Sequence, residues 1–320
     1  MDIDVLLWFQ ALRESVGGAL NGLAEVVRFL GEPALLLAVV CVLLWCVSRE
    51  AGFRVAVAFS VAQLACQLLK IAACVYRPWI RDARVTPLAS AVPTATGYSF
   101  PSGHTVNAAS VCGGLAIESR KRKWLAAVLW ALCILVGVSR LYVGVHTPQD
   151  VLVGLGLGIG ALALTSGLPA LLARKPKLDL PMMLLGVLAS VAVIVYAFAK
   201  PYPTDVVDGK LLVDPADMRL DCLKTCGTCI GFWLGWFWER RAIRYTVEGS
   251  LLRRVARGAV GLALTLVLYI PFGKLLKLVS VEFGAIVTHL LVMLFVTGGY
   301  PWLFQRFERR MDAPATKAMG

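Results

Sequence analysis

Charged side chains are scarce in this chain, and histidine is scarcer still. Of its 320 residues, 16% are Asp, Glu, Lys or Arg, 58% are hydrophobic, and three are histidine. Soluble domains carry about a quarter of charged residues, so this composition excludes an ordinary soluble domain. Several apolar runs approach the ~17–25 residues with which a helix crosses a bilayer. The sequence therefore predicts an all-α, polytopic membrane helical bundle.

Other familiar signals are also missing. We find no internal repeat, no metal-binding spacing and no nucleotide loop. The first residues include acids where a signal peptide has a basic region. The formal charge of +12 is concentrated in short loops between apolar segments, which is typical of membrane orientation and not of nucleic-acid binding. We therefore predict no cofactor, no metal and no nucleic-acid partner.

Nine apolar segments are candidate membrane spans. They cover residues 33–48, 53–75, 103–118, 124–140, 150–173, 181–199, 220–238, 256–273 and 279–304. Residues 1–32 are interrupted by Arg13, Glu14, Glu25 and Arg28, a pattern that favours an amphipathic helix in the interface. We divide the chain into an interfacial segment at 1–32, a core at 33–175, and further spans with a tail at 176–320.

The distribution of Lys and Arg predicts the orientation of these spans. Alternate gaps carry nineteen Lys and Arg on one side of the membrane and eleven on the other. Cytoplasmic loops carry the excess of positive charge. The C-terminus is therefore predicted in the cytoplasm, and the loops at 77–102 and 141–149 are predicted on the outer face of a cell membrane.

Lys70 and Arg77 form the first polar cluster. An ammonium inside an apolar helix is expensive and by default suggests a function. Seven residues are two helical turns, so we expect both cations on nearly one face, with Pro78 helping to end the helix. The alternative is a lysine that snorkels to the interface beside an unrelated arginine.

The second cluster lies in the stretch GYSFPSGHTV at 97–106. Ser102 is a favoured N-cap residue before an apolar run, so a helix should begin at Gly103. The free amides near Ser102, Gly103 and His104 would then face outward at the positive end of the helix dipole. Such an end binds anions, and glycine lets an anion approach closely. A capped helix that happens to hold a histidine is the alternative.

The third cluster joins Arg140 with His146 and Asp150. Thr147 and Pro148 are typical of an N-cap and a first helical residue, so a helix should begin just after His146. Asp150 can then reach back to one imidazole nitrogen and leave the other as a nucleophile. The alternative is a His–Asp pair that only satisfies polar groups at a helix start.

Together the clusters bring two histidines, three cations and one acid to one membrane face. Cations with backbone amides suit a multiply charged oxyanion, and guanidinium groups match phosphate oxygens. A nucleophilic histidine and a second, protonated one suit displacement at phosphorus. The residues alone favour His146 as the nucleophile because it has Asp150 beside it.

The three clusters resemble the signature motifs of the type 2 phosphatidic acid phosphatase superfamily. They match Lys70-x6-Arg77-Pro78, Pro101-Ser102-Gly103-His104 and Ser139-Arg140-x5-His146-x3-Asp150, complete and in order, within a stretch of about residues 33–173. The resemblance implies a six-helix-type phosphatase core and metal-independent hydrolysis of a phosphate ester through a phosphohistidine.

The resemblance also implies a role for each motif residue. His146 attacks phosphorus, Asp150 orients it, and His104 protonates the leaving group. The phosphoryl oxygens are held by Lys70, Arg77, Arg140, Ser102 and Gly103.

The substrate implied is a lipid phosphate or diphosphate that enters from the surrounding membrane lipids. An isoprenoid (undecaprenyl) diphosphate, a sphingoid-base phosphate and a sugar phosphate remain open, because the additional spans are more similar in layout to the sphingoid-base-phosphate and glucose-6-phosphatase branches. A phosphate-binding transporter or scaffold without catalysis is a further alternative. The sequence does not determine the oligomeric state.

Overall fold

The computed structural model describes residues 2–207 and 209–317. The regular secondary structure of the described residues is helical apart from one two-stranded hairpin, which confirms the predicted all-α class. Its helices are α1 Asp2–Ser15, α2 Asn21–Phe29, α3 Pro33–Val42, α4 Arg49–Ala73, α5 Pro78–Arg81, α6 Gly103–Glu118, α7 Lys123–Tyr142, α8 Pro148–Thr165, α9 Leu168–Arg174, α10 Asp179–Ala199, α11 Pro215–Trp238, α12 Leu251–Val267, α13 Gly273–Lys277, α14 Val281–Leu294 and α15 Tyr300–Lys317. The hairpin pairs β1 Val206–Val207 with β2 Lys210–Leu211.

Short stretches of other helix type join or extend several of these elements. Ala89–Thr94 and Pro176–Leu178 are 3₁₀ turns, and four π turns follow α3, α11, α12 and α14. The last residues of the predicted tail, 318–320, lie outside the described residues.

Six helical stretches in the described ranges are long and apolar enough to cross a membrane. A seventh is counted if α2 and α3, which bend by 47° at their junction, form one broken span. The membrane bundle is thus confirmed, whereas the count of nine is not. α6 has 16 residues, or ~24 Å at 1.5 Å per residue, which is short for a bilayer core of ~30 Å. α11 begins with a charged stretch that includes Asp217, Arg219, Asp221 and Lys224.

The chain packs as two compact units. The first comprises residues up to Leu37, Arg54–Gly167 and Tyr196–Asp221; the second comprises Ala38–Phe53, Leu168–Val195 and residues from Cys222 onward. Every motif residue falls in the first unit. The division at 1–32, 33–175 and 176–320 stays a prediction about how the sequence is organised.

Close helix packing in the first unit depends on small residues. A Cβ added at Gly158 of α8 would lie 2.5 Å from the Cβ of Ala109 on α6, and one at Gly154 would lie 2.9 Å from the carbonyl oxygen of Ser102. Without a hydrophobic effect between helices in lipid, close contact of small residues is a main source of association. This contact fixes α8 against the start of α6, where two of the motifs meet.

The N-terminal helices belong to the same unit. Arg13 of α1 is buried, and its guanidinium donates to the carbonyl oxygens of Tyr142 and Thr86. Val27 of α2 packs in an apolar cluster with Ala108 of α6 and Val136 of α7. Residues 1–32 were expected to lie in the interface; here their buried residues contact the helices that carry the motifs.

Residues 196–221 also pack on this unit. Lys200 Nζ donates to the carbonyl oxygen of Ile71 and lies 2.9 Å from Cys74 Sγ. Tyr76 donates to Asp205 over 2.6 Å. The side chain of Met218 fills the space beside Gly97, which has a φ of +62°. Residues 196–221 therefore support the turn within the first motif and the stretch just before the second motif.

The second unit has its own buried polar contacts. Arg257 forms an ion pair of 2.7 Å with Glu308 and donates to the carbonyl oxygen of Trp45. Trp45 in turn donates to the carbonyl oxygen of Val296 over 2.9 Å. These bonds join α12, α15 and the π turns after α3 and α14.

Candidate active site

His146 lies in the short loop between α7 and α8, immediately before the N-cap of α8. Thr147 and Asp150 form a capping box, with Pro148 at the first helical position, so the predicted helix start is confirmed. Asp150 Oδ2 accepts from the backbone amide of Thr147 over 2.8 Å and lies 3.3 Å from His146 Nδ1. The cap therefore fixes the carboxylate in the position where it meets the imidazole.

The other imidazole nitrogen faces Arg77. His146 Nε2 lies 3.1 Å from Arg77 Nη1. Because guanidinium can donate but not accept, Nε2 accepts in this contact and the ring proton resides on Nδ1, toward Asp150. The lone pair of Nε2 thus points to the side of the site that carries the cations.

Burial lowers the pKa of His146, and the positive charge of Arg77 lowers it further, against the opposing hydrogen bond that His146 donates to Asp150. The shift is downward from the ordinary value, so the ring is neutral at pH 7. A neutral ring with a fixed tautomer is the form that can act as a nucleophile.

Arg77 is held by backbone carbonyl groups from two loops. Nε donates to Gly97, Nη2 to Thr96, and Nη1 to Val145. The guanidinium thereby joins the loop before α6 to the loop before α8. Since Nη1 also contacts His146, Arg77 aligns the two loops around the imidazole.

The prediction that Lys70 and Arg77 lie on one helical face is wrong. α4 ends at Ala73, and Cys74 takes a left-handed φ of +48°. Arg77 is extended, as expected for a residue before proline, and precedes α5 as its N-cap. A turn therefore separates the two cations, with Lys70 in the last turn of α4 and Arg77 just before α5.

α6 begins at Gly103 with Ser102 at the N-cap position, as predicted. The Ser102 amide, however, donates to the carbonyl oxygen of Asp150 over 3.0 Å, so this amide is not free for an anion. Ser102 Oγ accepts from Thr105 over 2.9 Å, which leaves its hydroxyl hydrogen for a ligand. A Cβ added at Gly103 would meet no described atom within 4 Å; the backbone there is open to close approach.

Arg140 lies near the end of α7 and is buried, with 2% of its surface exposed. Its Nε donates to Ser139 Oγ over 3.3 Å. Its Nη2 has no hydrogen-bond partner among the residues that the structure describes. A buried donor without a partner costs free energy, and an anion in the site would supply the acceptor.

His104 contacts Glu32, with 3.4 Å between Nε2 and Oε1. The structure thus joins His146, Asp150 and Arg77 by direct contacts, links Ser102 to Asp150 through the backbone, and gives His104 a contact with Glu32. Among the described residues, no group of three or more His, Cys, Asp or Glu side chains could hold a metal ion.

Two residues of the site were not predicted. Ser99 is fully buried, donates to Asp150 Oδ2 and lies 3.4 Å from His146 Nδ1. It precedes the second motif by two residues, and a serine in that otherwise apolar and aromatic stretch is the one local signal for it. Glu32 carries no such signal, because 72 residues separate it from His104.

The geometry agrees with the sequence comparisons. The PAP2 superfamily matches residues 51–174, and the transmembrane extension of PAP2 superfamily phosphatases matches residues 223–312. The undecaprenyl-diphosphatase of Sulfolobus acidocaldarius is 30% identical over 151 residues, which are 47% of this chain and 71% of that protein. This chain belongs to the PAP2 superfamily. The predicted membership of the type 2 phosphatidic acid phosphatases, and with it the class of membrane phosphatase, is confirmed.

Two relatives of this PAP2 phosphatase come from Bacillus subtilis. Phosphatidylglycerophosphatase B is 36% identical over 101 residues, 29% of this chain and 49% of that protein. Undecaprenyl-diphosphatase BcrC is 37% identical over 68 residues, 21% of this chain and 34% of that protein. No solved structure matches the chain significantly.

Proposed function

We propose that this PAP2 phosphatase hydrolyses a phosphate monoester or diphosphate of a lipid at the outer membrane face, through a phosphohistidine and without a metal. The observation that carries the proposal is His146, whose Nδ1 meets Asp150 while Nε2 meets Arg77. Pure phosphate binding needs cations but no oriented, neutral imidazole, so this pair favours an enzyme over a transporter or scaffold.

The first half of the reaction follows from the site. The phosphoryl oxygens lie among Lys70, Arg77 and Arg140, with the Ser102 hydroxyl and the open backbone at Gly103 beside them. The Nε2 lone pair of His146 forms the bond to phosphorus as the bond to the leaving oxygen breaks. His104 gives that oxygen a proton, and Asp150 stabilises the charge that develops on His146.

The second half regenerates the enzyme. Water attacks phosphorus, a histidine takes its proton, and the electron pair of the P–N bond returns to His146. Phosphate leaves, and the cations that held it in the first half stabilise the same oxygens in the second. Three cations here supply the positive charge that a metal supplies in other phosphatases.

The lipid and the membrane face are part of the proposal. The named relatives act on undecaprenyl diphosphate and on phosphatidylglycerophosphate, and both kinds of substrate join a phosphate to a long apolar tail. The outer face rests on the excess of Lys and Arg in the alternate loops. A site at the ends of spans would let the head group reach the cations while the tail stays in the bilayer.

Phosphate release from purified protein with EDTA present tests this function. The substrates are phosphatidic acid, phosphatidylglycerophosphate, undecaprenyl diphosphate, a sphingoid-base phosphate and glucose 6-phosphate. We expect release from at least one lipid, and a loss of at least about 10³-fold in His146→Ala. His289→Ala is the matched control, because it removes a histidine that bonds the carbonyl oxygen of Ala285 in the second unit.

A second measurement tests the intermediate. With a ³²P-labelled substrate, rapid quenching should trap label on the wild-type protein that is stable in base and lost in acid, and none on His146→Ala. Equal phosphate release by wild type and His146→Ala on every lipid contradicts the enzyme, and activity that EDTA abolishes contradicts the metal-free mechanism.

A further inference from the structure

We propose that Glu32 is a positioning residue for His104, so that residues 25–32 form the leaving-group side of the site. The inference rests on the proposed function, in which His104 is the acid. It assigns a part in the reaction to a segment that none of the three motifs includes.

The contact between Glu32 and His104 is supported from both sides. Glu32 Oε1 lies 3.4 Å from His104 Nε2, and the same oxygen accepts from Arg28 Nη1. Arg28 also donates to Glu25 over 2.8 Å, and Glu25 accepts from Ser90 over 2.8 Å. A chain of charged hydrogen bonds therefore holds the carboxylate in place.

The backbone beside Glu32 is fixed to α6 independently of these charges. Asn107 Nδ2 donates to the carbonyl oxygen of Gly31 over 2.9 Å. A Cβ added at Gly31 would lie 3.0 Å from His104 Cβ and 3.1 Å from the His104 carbonyl oxygen. Glycine at this position lets the segment lie directly on the first turn of α6, next to the imidazole.

The charges around His104 explain why it needs this carboxylate. Arg28 bonds the same Glu32 oxygen that contacts His104. Burial and the positive charges of Arg140 and Arg28 oppose an imidazolium, and Glu32 is the group that counteracts them; without Glu32, the imidazolium is less stable still. Since Glu32 contacts Nε2, the proton on the other ring nitrogen, Nδ1, is the one that an imidazolium can give to a leaving oxygen.

The proton then moves in one balanced step. As His146 bonds to phosphorus, the electron pair of the breaking P–O bond goes to the leaving oxygen. His104 Nδ1 gives its proton to that oxygen while the Nε2 proton stays toward Glu32, and the product is an alcohol for a monoester or a lipid monophosphate for a diphosphate. His104 is left neutral beside Glu32 and can take a proton from the water that attacks in the second half.

The need for this proton depends on the leaving group. An alkoxide is a poor leaving group and needs the acid, whereas a nitrophenolate leaves without one. We expect Glu32→Gln to lower kcat about 10- to 100-fold on an alkyl phosphate, and less than about 3-fold on p-nitrophenyl phosphate. With the alkyl phosphate, the alkaline limb of the pH profile should move to lower pH, because the imidazolium has lost its counter-charge.

Glu14→Gln is the matched control, since Glu14 is an exposed carboxylate of α1 outside residues 25–32. It should keep the wild-type dependence on the leaving group and on pH. An equal loss on both substrates in Glu32→Gln, or no loss on either, overturns the proposal. The His146→Ala variant separates this proposal from the proposed function. If His146→Ala abolishes activity on p-nitrophenyl phosphate, the proposed function holds even where the results with Glu32→Gln overturn the role of Glu32.

Discussion

Two histidines in one site have different surroundings. His146 is buried between Arg77 and Asp150, with one ring nitrogen on each. His104 is half-buried and meets Glu32, with Arg28 and Arg140 near it. Environments that differ in this way support the proposal that the nucleophile and the acid are different side chains of the same chemical type.

The surroundings of His146 predict its titration. Its pKa is lowered by burial and by Arg77, so the ring should stay neutral as the pH falls through the ordinary histidine value of about 6.5. NMR of protein labelled with ¹⁵N at histidine measures this titration, and the spectrum contains few signals because the chain has three histidines. The His146 signals are assigned by their absence in His146→Asn. A midpoint above 6.5 in the free protein would show that the Asp150 contact outweighs burial.

Local chemistry made some residues predictable and left others hidden. The helix starts at Gly103 and Pro148 depend on a cap residue and its neighbours, and both were predicted. The prediction that Lys70 and Arg77 share a helical face was wrong. α4 ends before the left-handed Cys74, and Arg77, before Pro78, is extended. Ser99 and Glu32 act through contacts with residues 51 and 72 positions away, and no local pattern encodes such a distance.

At the scale of elements, the site depends on how closely α8 lies against α6. Glycines at 154 and 158 allow the contact, and the Ser102 amide reaches the Asp150 carbonyl across it. The sequence predicted both helices but not this contact, since glycine every fourth residue is also compatible with a lipid-facing surface. The same helix carries Gly160, beside which a Cβ would meet no described atom within 4 Å.

Gly158 and Gly160 of α8 give a matched pair of variants. Gly158→Val should destabilise the protein by about 1–3 kcal/mol through overpacking and lower phosphate release, because α8 must move away from Ala109. Gly160→Val should leave both nearly unchanged. Thermal unfolding in detergent, with phosphate release on the same samples, measures the effect. If both variants behave alike, the close contact of α6 with α8 is not what holds the site.

At the scale of the whole molecule, the unit that holds the site is discontinuous. The superfamily match ends at residue 174, yet the unit also includes Tyr196–Asp221. That segment contacts the ends of the first two motifs through Lys200, Asp205 and Met218. The nine predicted spans describe hydropathy along the chain and could not reveal which distant segment completes which unit.

A shortened chain tests this dependence. Residues 1–175 contain all three motifs but lack the segment at 196–221, so we expect at least about a 100-fold loss of phosphate release per molecule. Residues 1–175 and 176–320 expressed together as separate chains should regain part of the activity. Full activity of 1–175 alone would show that the later segment does not support the site.

The contacts of Lys200 with Ile71 and Cys74 also bear on synthesis. A ribosome completes the residues of all three motifs before it reaches residue 196, and at that moment the turn at Ile71 and Cys74 still lacks Lys200. The nascent chain must therefore bring two further helices into the membrane before the turn can settle. We therefore expect catalytic competence to arise late in the biogenesis of this phosphatase, so that half-inserted chains cleave little phosphate ester.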